Sequence, residues 1–148
     1  MFLRRPDSHL GLANFMRSHL YASLVTLKIG LDILLKEEDV KIDSITGHGG
    51  LFKTKGVGQS ILAAAMNAPI SVMETAGEGG AWGRALLAAY MLSKKDGQSL
   101  GDYLDSRVFA ERKSETMEPD PADVAGFETY TKQYQACLAA EKVAVQAF

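Results

Sequence analysis

The chain has 148 residues, of which 47% are hydrophobic and 23% charged, a composition typical of a soluble globular domain. Its 16 basic and 18 acidic side chains give a net charge of −2, which does not favour a nucleic acid or an anionic membrane as partner. Cys137 is the single cysteine, so no internal disulfide framework can form and a cytoplasmic location is favoured. The longest uninterrupted apolar run, residues 85–92, is far shorter than the roughly 20 residues of a membrane-spanning helix.

The predicted elements begin with a long amphipathic helix over residues 10–36, where apolar side chains recur at three- and four-residue spacings. Asp7 or Ser8 is its predicted N-cap. Residues 40–46 are predicted to form a short strand, because they are rich in β-branched side chains and the glycines that follow end it abruptly.

Two more helices and one more strand are predicted in the middle of the chain. Residues 58–66 form the second helix, residues 69–73 (Pro-Ile-Ser-Val-Met) the second strand, and residues 81–93 the third helix. This order of elements predicts an α/β layer of parallel strands joined by right-handed helical crossovers. Two strands do not complete a sheet, so further strands are expected from elsewhere in the chain, from another copy, or from a part of the protein that is absent here.

The last third of the chain is predicted to be helical. Ser99 is the predicted cap of a short helix, and Asp120 with Pro121 is a favourable start for a final helix that reaches about residue 147. Within this helix Cys137 is predicted to be a buried, inert thiol. We therefore expect a single domain, residues 1–148, with an α/β core over residues 10–95 and a helical tail over residues 96–148.

A glycine-rich turn between the first predicted strand and the second predicted helix is the main candidate site. It reads Thr46-Gly47-His48-Gly49-Gly50-Leu51-Phe52-Lys53-Thr54-Lys55. Backbone N–H groups without a neighbouring Cβ can face an anion, the following helix adds its positive end, and Lys53 or Lys55 adds a formal charge. This pattern favours phosphate binding, and the alternative is a tight turn that binds no ligand.

Other candidate residues lie in or near the glycine-rich turns. His48 could contact a nucleotide or simply face solvent. Glu74 and Glu78 flank a second glycine-rich turn and could face the same cleft as Gly50, although no pattern identifies either as a general base.

Three sequence blocks then stand in a recognisable order. They are Ile45-Thr46-Gly47-His48-Gly49-Gly50, residues 61–72, and residues 78–85 (Glu-Gly-Gly-Ala-Trp-Gly-Arg-Ala). They resemble the Gly-Gly loop, the helix ending near Gly-x-Pro-Val, and the Gly-Ala-x-Gly-Ala helix in the C-terminal lobe of the FGGY carbohydrate kinases. The resemblance covers about residues 10–91, and the ribulokinase and xylulokinase branch is the most similar.

The resemblance implies a partial ribonuclease-H-like (actin-like ATPase) domain. It also implies transfer of the γ-phosphoryl group of Mg-ATP to a hydroxyl group of a ketopentose such as ribulose or xylulose. Gly49 and Gly50 match the loop glycines that approach the nucleotide. Lys53, Thr54 or Lys55 matches the helix-start position that contacts it.

The N-terminal lobe of the resembled family has no counterpart in this sequence. That lobe carries the phosphate loop, the sugar pocket and the aspartate general base, so we expect no catalytic residue and no Mg²⁺ ligand here, and little activity from this chain alone. The expected partners are ATP or ADP, a sugar that binds through the missing lobe, and an N-terminal partner chain or a second copy of this chain.

Two other functions fit the same sequence. The first is a non-catalytic interaction or regulatory module, derived from a kinase fold, that self-associates through an exposed sheet edge. The second is a nucleotide-binding domain of the actin-like class that acts on something other than a sugar.

Overall fold

The computed structural model describes residues 2–110 and 114–147. The chain divides into two compact units. Unit 1 comprises the described residues of Met1–Asp43, Ile61–Ala68 and Pro119–Phe148, and unit 2 those of Ser44–Ser60 and Pro69–Glu118. The predicted arrangement of one domain with a core over residues 10–95 and a tail over residues 96–148 stays a prediction.

Unit 1 is built on two long helices, α1 (Leu12–Lys36) and α5 (Pro121–Gln146). Tyr21 of α1 and Phe127 of α5 lie with their ring centroids 4.7 Å apart, and Phe127 is completely buried. Both helices are confirmed within two residues of their predicted bounds, because the spacing of apolar residues and the signals at the start of α5 are local properties of the sequence.

The two helices begin in different ways. The Asp120 carboxylate accepts a hydrogen bond from the backbone N–H of Ala122 over 2.8 Å, so the predicted start of α5 is confirmed. The N-cap of α1 is Gly11, which makes no side-chain capping bond. The prediction of Asp7 or Ser8 as cap is therefore wrong, because the helix begins later than the sequence pattern indicates.

The second half of α5 is largely exposed, and this exposure includes Cys137. The predicted buried thiol is therefore wrong. Phe127 and Thr131 are the buried side chains of this helix, and both lie in its first half. The apolar neighbours of Cys137 in the sequence suggested a core position, but burial depends on whether another element packs there.

α1 is the one helix of the described ranges that is long and apolar enough to cross a membrane, judged by length and composition only. Core helices of soluble proteins and signal sequences near an N-terminus meet the same two criteria. Tyr21, Leu24 and Val25 are the buried residues of α1, and 17% of its most apolar window is buried. The prediction that a membrane is not a partner stays a prediction.

Unit 2 contains a three-stranded sheet with the order β1 (Ile45–Gly47), β2 (Ile70–Met73) and β3 (Ser114–Met117). β1 and β2 are parallel, as predicted, with Ile45 opposite Ile70. β3 is antiparallel to β2 and places Met117 opposite Ile70. The sequence did not predict β3, so the expectation of only parallel strands followed by a helical tail is wrong at this point.

β1 is shorter than the strand predicted over residues 40–46. Residues 40–44 are exposed and lie outside the described sheet. Their β-branched side chains therefore have no neighbouring strand to pack against, and strand propensity alone does not form a strand.

The described residues form three further helices: α2 (Val57–Met66), α3 (Gly79–Ser93) and the short α4 (Leu100–Tyr103), which continues as a π-helical turn over Leu104–Val108. The Ser99 hydroxyl accepts the N–H of Asp102 over 3.1 Å, which confirms Ser99 as the predicted cap of α4. Short 3-10 helices, Gly50–Phe52 and Ala76–Glu78, follow β1 and β2. Both glycine-rich turns therefore lie at the carboxyl ends of parallel strands, where open α/β sheets bind ligands.

Candidate functional site

The two glycine-rich turns of unit 2 contact each other. The backbone N–H of Gly49 in the first turn donates a hydrogen bond to the carbonyl oxygen of Ala76 in the second, over 2.6 Å. A Cβ atom at Gly79 would lie only 2.9 Å from Nδ1 of His48, so this glycine permits the close approach of α3 to the first turn. The turns thus form one structural feature, although they are well separated in the sequence.

The two glycines predicted to approach a nucleotide have different roles in this turn. Gly49 has φ of 109°, a conformation that favours glycine, and its N–H is already bonded to Ala76. Gly50 opens the first 3-10 helix, and a Cβ there would meet no atom within 4 Å. The first N–H groups of a helix have no acceptor inside it, so Gly50 and Leu51 offer donors that Gly49 does not.

Both lysines of the turn form ion pairs. Lys53 Nζ lies 2.8 Å from Oε1 of Glu78, and Lys55 Nζ lies 3.1 Å from Oε2 of Glu115. The hydrogen bond and the positive charge of Lys53 hold the pKa of Glu78 below its ordinary value. The two lysine side chains that the sequence analysis predicted to attract an anion are therefore paired with carboxylates of the same chain.

A cavity of about 410 Å³ lies beside the start of α2, within the size range of small-molecule sites. Phe52 and Val72 contribute apolar side chains to its lining. Its polar lining consists of Thr54, Lys55, Gln59, Glu74, Ser114 and Glu115.

The predicted residues are divided between this cavity and the adjoining turn. Thr54 and Glu74 line the cavity, whereas Lys53 and Glu78 pair with each other across the two turns. Gly50 and Glu78 do not line this cavity, so the expectation that Glu74 and Glu78 share one cleft with Gly50 is not met there. Gly77 of the second turn lies at the boundary, since it lines the cavity and a Cβ there would approach Cγ of Lys53 to 3.2 Å.

Gln59 is a site residue that the sequence analysis missed. This residue is 3% exposed, and its Nε2 donates to the carbonyl oxygens of Ile70 at 2.7 Å and Glu115 at 2.8 Å. One amide therefore connects the start of α2 to β2 and β3 beside the cavity. The signal in the sequence is one long polar side chain near the start of a mostly apolar helix.

His48 does not line the polar cavity. It lines a second, mostly apolar cavity of about 350 Å³ together with Trp82, Leu86, Leu104 and Phe109. Met73 and Ala76 line both cavities and thus form a common wall. His48 and Thr54 therefore face different cavities.

The polar cavity is lined in part by hydrogen-bonding and charged side chains. Within residues 2–110 and 114–147, no three His, Cys, Asp or Glu side chains are grouped so that they could hold a metal ion. The polar cavity offers carboxylate acceptors from Glu74 and Glu115 and donors from Thr54 and Lys55. Such a lining can bind and orient a polar ligand through hydrogen bonds and charge.

Comparison with known proteins gives one finding. Residues 2–92 match the family model described as the FGGY family of carbohydrate kinases, C-terminal domain. This match covers more than half of the chain and includes both glycine-rich turns. No curated protein and no solved structure matches the chain.

Proposed function

Because the chain belongs to the FGGY family of carbohydrate kinases, we propose that it is the C-terminal nucleotide-binding segment of an ATP-dependent pentulose kinase. The family implies a phosphotransferase acting on a sugar for the whole protein. The proposal adds a ketopentose such as ribulose or xylulose as substrate, an actin-like ATPase fold for the complete domain, and a cytoplasmic location. It also adds that this chain depends on an N-terminal lobe for catalysis.

The observation that carries the proposal is the position of the polar cavity next to the glycine-rich turn. Residues at the start of α2, such as Gln59, line the cavity. The turn lies at the carboxyl end of β1. A nucleoside in the cavity could hydrogen-bond to Thr54 and Glu74 through its hydroxyl and amino groups. Its phosphates would then extend towards the N–H groups at Gly50 and the ammonium group of Lys53.

The role of this chain in the proposal is to bind and orient the nucleotide. Mg²⁺ neutralises charge on the phosphates during phosphoryl transfer. The proposal assigns the protein ligands of that ion and the general base to the N-terminal lobe, as the resemblance to the family implies. Phosphoryl transfer relies mainly on positioning and charge stabilisation, and half of a site should therefore bind nucleotide without turning it over.

Calorimetric titration of Mg-ADP and Mg-ATP into the 148-residue chain tests the proposal. We expect binding by the wild-type chain and at least about tenfold weaker binding by Gly50→Val, which is a loss of roughly 1.4 kcal/mol. A Cβ atom at position 50 would meet no protein atom within 4 Å, so the substitution is expected to obstruct a ligand rather than the fold. Gly30→Val is the matched control, because Gly30 in α1 also has open space around its Cβ position.

Two results would contradict the proposal. A chain that is folded by circular dichroism but binds neither nucleotide has no independent nucleotide site. Turnover of ribulose or xylulose by this chain alone, in a coupled assay, would show that the N-terminal lobe is not required.

A further inference from the structure

Lys53 and Glu78 form an ion pair that joins the two glycine-rich turns. Lys53 ends the 3-10 helix of the first turn, and Glu78 is the N-cap residue of α3 in the second. Their charged atoms lie 2.8 Å apart. The pair therefore neutralises the ammonium group that lies closest in sequence to Gly50 and its open space.

Lys53 can exchange Glu78 for another anionic partner at little cost in stability. The Lys53 side chain is 60% exposed and that of Glu78 is 74% exposed. Exposed ion pairs contribute little to stability because water screens the charges and two flexible side chains must be ordered. A phosphate carries more negative charge than a carboxylate, and its oxygen atoms can accept several donors at once. A phosphate near Gly50 should thus displace Glu78 from Lys53.

We propose that Glu78 is a positioning residue that competes with the nucleotide phosphates for Lys53. In the free chain Glu78 holds the Lys53 side chain against the second turn, and on binding Lys53 moves to the phosphate. This inference rests on the proposed nucleotide site, and it adds an internal competitor that lowers the affinity of that site for phosphorylated ligands.

The test compares ADP with adenosine, both without Mg²⁺, by calorimetry at low ionic strength. Adenosine lacks phosphates, so it reports the nucleoside part of the site only. The variants are Glu78→Gln, Lys53→Met and the double variant. Asp7→Asn is the matched control, because Asp7 forms a similarly exposed pair with Arg5 over 2.9 Å in unit 1 and carries the same charge change.

We expect Glu78→Gln to bind ADP about two- to fivefold more tightly, in line with the loss of one exposed ion pair. Its affinity for adenosine should equal that of the wild-type chain. Lys53→Met should weaken ADP binding, and adding Glu78→Gln to it should give no further gain. Asp7→Asn should leave both affinities unchanged.

Three outcomes would overturn the inference, and they are distinguishable. Unchanged or weaker ADP binding by Glu78→Gln contradicts competition while leaving the nucleotide site intact. If Glu78→Gln raises the affinity for ADP by the same factor with and without Lys53→Met, Glu78 repels phosphate directly and does not act through Lys53. A wild-type chain that binds neither ADP nor adenosine overturns the nucleotide site itself, and the competition with it.

Discussion

The backbone N–H of Gly49 donates a hydrogen bond to the carbonyl oxygen of Ala76 over 2.6 Å. This bond ties the turn that follows β1 to the turn that follows β2. It also removes one donor from any role in anion binding. The two adjacent glycines therefore have different roles. Gly49 joins the two turns through its hydrogen bond, and Gly50 leaves open space beside the first turn.

These different roles predict unequal losses of stability for two alanine substitutions. Gly49→Ala should lower the free energy of unfolding by about 1–3 kcal/mol, because φ of 109° is strained for any residue with a Cβ. Gly50→Ala should change it by less than about 0.5 kcal/mol, because the added methyl group meets no atom within 4 Å. Urea unfolding measures both, and equal costs would contradict the assigned roles.

Gln59 should be a major contributor to the stability of the sheet. Gln59→Leu removes the donor for the carbonyl oxygens of Ile70 and Glu115 and should cost about 1–3 kcal/mol in urea unfolding. Hydrogen exchange should become faster in β3, where one of these carbonyls lies. Gln133→Leu, an exposed position in α5, is the control and should change stability by less than about 0.5 kcal/mol. Similar effects of the two substitutions would contradict this role.

Asp32 in α1 should make stability depend on pH in the acid range. Burial raises the pKa of Asp32, but hydrogen bonds and charges from Lys28 and Lys36 outweigh it and leave that pKa below its ordinary value. The stabilisation is present above the unfolded pKa of about 4 and is lost as pH falls through the lower folded pKa.

Asp32→Asn should therefore be less stable than wild type at neutral pH by less than about 1 kcal/mol. The difference should shrink towards zero at the most acidic pH at which the chain still folds. Urea unfolding at a series of pH values measures it, with Asp7→Asn as an exposed control. A difference that stays constant as pH falls would show that the loss is not electrostatic.

Cys137 should react with a thiol reagent in the folded chain, because its side chain is exposed on α5. One equivalent of 5,5′-dithiobis(2-nitrobenzoate) should be consumed at a rate of the same order with and without denaturant. Cys137→Ser should show no reaction, since it removes the single cysteine. Reaction only after unfolding would contradict the exposed position of Cys137 and support the buried thiol that the sequence predicted.

Some features of this protein follow from its sequence alone because their causes are local. The apolar spacing of α1, the Asp120–Pro121 start of α5 and the Ser99 cap of α4 each involve residues within one or two turns of helix. The order of the glycine-rich blocks likewise indicated the FGGY family, which the match over residues 2–92 confirms.

Other features depend on contacts between residues that are distant in the sequence. The segment Ser-Glu-Thr-Met at β3 lacks the apolar alternation of a strand and becomes one because it pairs with β2. Residues 40–44 have better strand propensity, yet they lie outside the described sheet. The sequence determined which local structures can form, and tertiary pairing decided which of them are stabilised.

In the candidate site, too, the sequence predicted local features but not contacts between distant residues. Gly50 and Thr54 were identifiable from a glycine-rich turn before a helix. The roles of Gln59 and Glu78 were not, because their partners lie in other turns and strands. Burial and ion pairing arise only when the folded chain brings distant groups together, so only the tertiary structure could decide them.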